Sequence, residues 1–213
     1  PIRKVLIIKK IQPDFIGHTE YLRNLEKKKY SNMILYNKEL IVTPLTTHVE
    51  LKSVSKILTK KLLYNQIKNL DLTLKKDFDI QNPKILISGI NPHAGENGYI
   101  GNEEIDVINP TLVKLKKENI NIFGPASADS MLMNKNIKTY NCFVFIFHDQ
   151  ALIPFKFISK FTGVNFTGNL SVIRTSPDHG TAYDLKGSNK FSDLSLKNCF
   201  KLIFKISKNR IKY

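Results

Sequence analysis

Five histidines are spread along the 213 residues, at His18, His48, His93, His148 and His179. None lies inside an apolar run. His48 follows ELIVT (39–43), His93 follows KILIS (84–88), His148 comes directly after CFVFIF (142–147), and His179 follows SVIR (171–174). Each run has the length and the β-branched or aromatic content of a strand. Four imidazoles thus stand just past the carboxyl ends of expected strands, where open α/β sheets bind ligands. A lone loop histidine is usually an ordinary polar side chain bonded to backbone or water. Recurrence on four separate strands is what points to a shared cleft. Neutral imidazole is the commonest metal ligand, and three of them leave coordination positions for a substrate. No HExxH or other close-spaced zinc pattern occurs, so any ligands come from distant segments. Asp149 and Asp178 each neighbour a histidine and suit fixing its tautomer. Spacing alone leaves open which histidines bind metal and which bind substrate.

A second chemistry is anion binding. Glycines cluster in GENGYIG (95–101) and HGTAYDLKG (179–187), where backbone N–H groups can approach an oxyanion closely. Lys156 in LIPFK and Arg174 in VIRTS occupy the same post-strand neighbourhoods and can neutralise phosphate or carboxylate. No GxGxxG follows a strand and no GxxxxGK[ST] occurs, so a nucleotide would not be held by the Rossmann or P-loop fingerprint.

These residues need a scaffold. The strand candidates are VLII (5–8), ELIVT, KILIS, CFVFIF and SVIR. Between them lie helical patterns. One starts near Thr19, with Thr19 as its cap. One carries Leu51, Val54, Ile57, Leu58, Leu62, Ile67 and Leu70. One follows Asn102, with Glu103 and Glu104 in its first turn, where the helix dipole favours negative charge. The last runs from about Ser192, with Leu196, Cys199, Phe200 and Ile203 on one face. Residues 71–83 form a polar connection. The alternation predicts an α/β fold with a largely parallel sheet.

The apolar share, 42%, is ample for a core, and no apolar run is long enough to cross a bilayer. Net charge is +15. The lysines are scattered, as in KKK (27–29), KK (60–61) and KK (116–117), mostly on the polar sides of helical patterns. Solvated faces account for them, and no nucleic-acid partner is expected. Cys142 and Cys199 both lie among apolar residues and form no disulfide framework, which fits a reducing cytoplasm.

GHTE (17–20), TTH (46–48), NPHAGENGYIGNEEID (91–106), GPASAD (124–129), HDQ (148–150), VN (164–165) and IRTSPDHGTAYDL (173–185) resemble, in this order, the motifs of the 4-hydroxythreonine-4-phosphate dehydrogenase family. The resemblance runs from end to end of the chain. It implies a two-domain α/β fold like that of the isocitrate and isopropylmalate dehydrogenases. It implies a cytoplasmic homodimer that uses NAD or NADP and a divalent metal (Zn2+, Mg2+ or Co2+) to oxidise 4-phosphooxy-L-threonine, with loss of CO2, to 3-amino-2-oxopropyl phosphate in pyridoxal phosphate biosynthesis. By resemblance the metal ligands are His48, His93 and His148, drawn from both subunits. The substrate contacts are His18, Thr19, Lys156, Asn165 and Arg174, and Asp129 or Lys156 mediates proton transfer. The opening PIRK resembles an internal Pro-x-x-Lys segment of the family, so residues 1–213 are expected to be the C-terminal two-thirds of the two-domain enzyme. An impaired remnant of it, or a dehydrogenase of another phosphorylated hydroxy acid, is the alternative. Two departures stand out. HDQG reads HDQA, with Ala151, and Gly-Leu-Pro reads Asn169, Leu170, Ser171.

Overall fold

The computed structural model describes residues 17–180, 187 and 192–213. The expected strand VLII and most of HGTAYDLKG lie outside these residues. The described chain forms a seven-stranded sheet of order β4-β3-β5-β2-β1-β6-β7. Its strands are β1 (Asn32–Tyr36), β2 (Ile41–Thr46), β3 (Ile85–Ser88), β4 (Ile122–Ala126), β5 (Cys142–Phe147), β6 (Val164–Gly168) and β7 (Thr175–Pro177). The pairs β2–β5, β5–β3 and β3–β4 are parallel, while β1–β2, β1–β6 and β6–β7 are antiparallel. Five of the seven strands therefore run the same way, with β1 and β7 reversed. The expected parallel sheet is the stretch β4-β3-β5-β2, and a β1–β2 hairpin carries it into an antiparallel flank. That hairpin turns on Asn37, whose Oδ1 accepts the N–H groups of Glu39 (3.0 Å) and Leu40 (2.7 Å).

Helices cover both faces. They are α1 (His18–Leu25), α2 (Val54–Ile57), α3 (Lys60–Phe78), α4 (Asn109–Lys117), α5 (Asn134–Thr139), α6 (His148–Ser159) and α7 (Leu194–Lys212). The central strand β5 shows why. Cys142, Val144 and Ile146 point into a core shared with α3, α4 and α7, while Phe143 and Phe145 point into a second core with Ala151 and Phe155 of α6. A strand buried on both faces needs a continuous apolar run, and CFVFIF supplies one.

Several elements differ from expectation. The helical pattern at 51–70 is broken at Leu58–Thr59, where Thr59 caps α3 by accepting the Leu62 N–H at 3.2 Å. The helix then continues to Phe78, so residues 71–78 are not a connection; the apolar stripe Leu70, Leu74 and Phe78 carries it on. α1 is capped by Gly17, and Thr19 lies inside it. SVIR is a turn, with the strand displaced to Thr175–Pro177. Strands β1, β4 and β6 were not among the sequence candidates. α7 buries Ser195, Cys199, Leu202, Ile206 and Asn209, and exposes Leu196 and Phe200. Two polar residues belong to that buried stripe because each is satisfied. The Ser195 hydroxyl donates to the Gly163 carbonyl, and Asn209 Nδ2 donates to the Asp77 carbonyl at 2.8 Å.

Both departures from the family motifs are accommodated. Ala151 is fully buried within α6 in ordinary helical conformation. Asn169 takes a left-handed φ of 63°, which asparagine tolerates better than most residues. Its turn is tied down by Glu26, which accepts both the N–H (2.9 Å) and the hydroxyl (2.8 Å) of Ser171.

Two predictions follow from these ties. The Asp77 carboxylate, almost wholly buried, receives Arg210 Nε at 2.6 Å and Nη2 at 3.1 Å, joining α3 to α7. Asp77→Ala strands the guanidinium and should lower unfolding free energy by about 3 kcal/mol, measured by urea denaturation. Burial opposes ionisation of Glu26, but Ser171 and Lys28 outweigh it and hold its carboxyl at about 2, below the ordinary 4.5. A depressed carboxyl stabilises above its unfolded value and loses that contribution as pH falls through its folded one. Glu26→Gln therefore unfolds more easily than the parent at neutral pH, and the gap closes between pH 4.5 and about 2.

Candidate functional site

Parallel register sets the site. Thr46 of β2 pairs with Phe147 of β5, so the chain leaves both strands at the same edge, two residues before His48 and one before His148. The two imidazole centroids come within 6.0 Å. They border a cavity of about 260 Å³ lined by Thr46, His48, Leu51, Phe147, His148 and Asp149. Each ring has a carboxylate behind its Nδ1: Asp149 Oδ1 lies 2.8 Å from His148, and Glu20 Oε1 lies 3.6 Å from His48. Glu20 raises the His48 pKa against the opposing effect of burial, and His48 in turn lowers that of Glu20. A carboxylate at Nδ1 leaves Nε2 as the free donor atom, the arrangement typical of metal-binding histidines.

His93 and Asp129 are near neighbours of a different kind. The His93 charge helps lower the Asp129 carboxyl, after the larger effect of the Ser127 hydroxyl 2.6 Å from its Oδ1. Among the described residues, no three His, Cys, Asp or Glu side chains gather where one ion could sit. Within a single chain His93 therefore does not join His48 and His148.

The backbone around His93 is unusual. His93, Ala94, Gly95, Glu96 and Asn97 all have φ between 40° and 79°, one left-handed turn after Pro92. Left-handed conformation costs a non-glycine residue roughly 1–2 kcal/mol. His48 is also left-handed, at φ 52°. The turn is anchored by Glu104, which the sequence reading assigned to a helix dipole. It does lie in the first turn of that helix, 2% exposed at the head of a π-helical turn (Glu104–Ile108), and its carboxylate is also directed back at residues 90–91.

The residues expected to bind an anion form a row along β6, β7 and α7. Arg174 Nη1 donates to Thr167 Oγ1 at 3.3 Å and approaches Thr19 Oγ1 at 3.5 Å, and the two hydroxyls are 3.3 Å apart. Burial lowers the Arg174 pKa, and the charge of Glu20 opposes that. Thr19 thus faces Arg174 rather than capping its helix, and His18 heads the same helix. Further along, burial raises the pKa of the Cys199 thiol, which the Thr175 side chain and the charge of Arg174 lower and that of Asp178 raises. Asp178 is raised by burial and lowered by the charge of Lys156, an exposed residue in α6. Asp178, which the Lys156 charge reaches, lies near the start of β6, whereas Arg174 lies near its end. Asn165 falls between them. Among the described residues, Glu20 Oε2, Asn165 Oδ1 and Asp178 Oδ2 are buried without hydrogen-bond partners, which suits a row completed by a polar ligand. Sequence reading missed Glu20, Thr167 and Glu104. Glu20 is within the GHTE motif, and that was the one available signal.

Gln150 of HDQ joins the strand ends. Its Oε1 accepts the Ile146 N–H at 2.9 Å and the Ser88 hydroxyl at 3.2 Å, and its Nε2 donates to the Gly89 carbonyl at 3.2 Å. The loops that carry His93 and His148 are thereby fixed to each other.

A family model described as pyridoxal phosphate biosynthetic protein PdxA matches residues 1–203. The chain is similar to the 4-hydroxythreonine-4-phosphate dehydrogenase of Bradyrhizobium diazoefficiens, 42% identical over 184 residues, covering 84% of this chain and 53% of the relative. It is 38% identical over 196 residues to that of Pseudomonas putida, covering 92% and 60%. The crystal structure of the Klebsiella pneumoniae enzyme of that name superposes with a TM-score of 0.80 at 32% identity, over 95% of this chain and 60% of that one. The Burkholderia phymatum structure gives 0.75 at 34% identity, over 90% and 58%. The chain thus spans between half and three-fifths of these relatives' length.

If Gln150 is the joint, Gln150→Leu leaves the Ser88 hydroxyl, the Ile146 N–H and the Gly89 carbonyl without this partner. Unfolding free energy should drop by about 2 kcal/mol in chemical denaturation.

Proposed function

The chain belongs to the PdxA family of pyridoxal phosphate biosynthetic proteins, and we propose on that premise that it forms the metal- and substrate-binding part of a 4-hydroxythreonine-4-phosphate dehydrogenase. The observation that carries this reading is the approach of His48 and His148, each backed by a carboxylate. Their free Nε2 atoms fit a divalent ion, and His93 of the partner subunit in a homodimer is the third ligand. Supporting a homodimer, α6, which begins at His148, exposes Ile153 and Phe157 one turn apart, at 69% and 84%. Bound there, Zn2+, Mg2+ or Co2+ supplies Lewis acidity at a substrate hydroxyl, and NAD or NADP supplies the hydride acceptor for an oxidation followed by loss of CO2.

The chain's own residues bind and orient the substrate and move its protons. Arg174, with the Thr19 and Thr167 hydroxyls, suits the phosphate or carboxylate of 4-phosphooxy-L-threonine. His18 and Asn165 complete the polar wall. Asp129, kept ionised by Ser127, is equipped to accept a proton, and Lys156 to return one. A second reading is favoured by the share of its relatives that the chain spans: a piece that binds metal and substrate and turns over only when completed by the remaining segment.

The test is Co2+ titration alongside nicotinamide reduction with 4-phosphooxy-L-threonine. His48→Ala and His148→Ala should each weaken Co2+ binding at least about tenfold, with an unchanged cooperative melt, since both side chains are half-exposed. Parent-like Co2+ affinity in both variants would refute the ligand assignment. Metal binding without turnover would select the second reading.

A further inference from the structure

We infer that Glu104 is a positioning residue for His93: its carboxylate holds the left-handed turn that presents the imidazole. This rests on the reading of His93 as a metal ligand. Glu104 Oε1 accepts the N–H groups of Ile90 (2.8 Å) and Asn91 (2.9 Å), and Oε2 accepts Asn91 Nδ2 at 2.9 Å. These are the residues directly before Pro92 and His93. Among the described residues Glu104 forms no ion pair, so a buried carboxylate is satisfied there by the loop alone.

The fit is tight on the turn's inner side. A Cβ at Gly95 would lie 2.7 Å from Glu104 Oε2, and one at Gly89 would lie 2.7 Å from both Glu104 Oε1 and the Ala94 Cα. The two glycines leave the space that the carboxylate occupies. The turn is a tight 3-10 coil, bounded by bonds from Ala94 to the Asn91 carbonyl at 3.2 Å, Tyr99 to Glu96 at 3.3 Å and Ile100 to Gly95 at 3.1 Å. Those bonds lie within or after the turn, whereas the carboxylate grips the residues that lead into it. It therefore fixes the direction in which the chain enters the turn. Glu104 touches neither the imidazole nor, on this reading, the reacting atoms, so its influence passes through the loop backbone.

The experiment compares the parent chain with Glu104→Gln, Asn91→Ala and His93→Ala. It reads Co2+ affinity, amide exchange at residues 90–98 and the thermal melt. Glutamine is nearly isosteric but replaces one acceptor oxygen with a donor that faces donors. Glu104→Gln should weaken Co2+ by about 10–100-fold and speed exchange at 90–98, while still melting cooperatively. His93→Ala should lose Co2+ with exchange at 90 and 91 still slow. Parent-like Co2+ affinity and exchange in Glu104→Gln overturn the inference and leave the metal reading intact. Parent-like Co2+ affinity in His93→Ala overturns the metal reading, and the inference with it. Should Glu104→Gln not fold, Asn91→Ala decides. It removes one of the three donors, and a severalfold loss of Co2+ affinity with faster exchange supports the positioning role. Parent-like values in both readouts refute it.

Discussion

The site depends on parallel pairing of β5 with both β2 and β3. Once Thr46 is opposite Phe147 and Ile87 is opposite Val144, the chain must leave all three strands at one edge. A one-residue slip would reverse which side chains enter which core, and β5 is apolar on both faces, so register alone decides the outcome. The histidines are placed by this sheet rather than by their own contacts. Gln150 adds the local lock, bonding to the ends of β3 and β5 at once.

Against that rigid edge, the loops store strain. His48 and the run from His93 to Asn97 lie in left-handed backbone that L-residues disfavour. Such conformations persist only where the surroundings over-determine them. Around His93 the surroundings are one buried carboxylate and two glycines that make room for it. Around His48 they are the Glu20 carboxylate and the end of β2. The polar row from Arg174 to Asp178 follows the same economy of contacts, with buried oxygens on Glu20, Asn165 and Asp178 that find no hydrogen-bond partner among the described residues.

Much of this was legible in sequence, for physical reasons. Strands buried on both faces require unbroken apolar runs, so ELIVT, KILIS and CFVFIF announced themselves, and each histidine's distance from its run placed it at the sheet edge. The antiparallel flank was less visible. NMILY and VNFTG are short and bounded by polar residues, and their strand character comes from pairing with each other. The buried face of α7 was misjudged because Ser195 and Asn209 belong to it, and their burial is permitted only by partners remote in sequence. The second role of Glu104, beyond its place in the first turn of a helix, was hidden for the same reason: its partners lie thirteen and fourteen positions earlier, in a contact that exists only after the turn has closed.

Burial of the two thiols has a practical side. Cys142 is wholly enclosed between sheet and helices and Cys199 nearly so, and in both burial pushes the thiol pKa up, which suppresses the reactive thiolate. One marks the central strand and the other the C-terminal helix. An alkylating reagent then finds sulfur only in molecules whose sheet or last helix has come apart. Its rate of uptake at each position would clock the opening of those two regions separately, without any label being introduced.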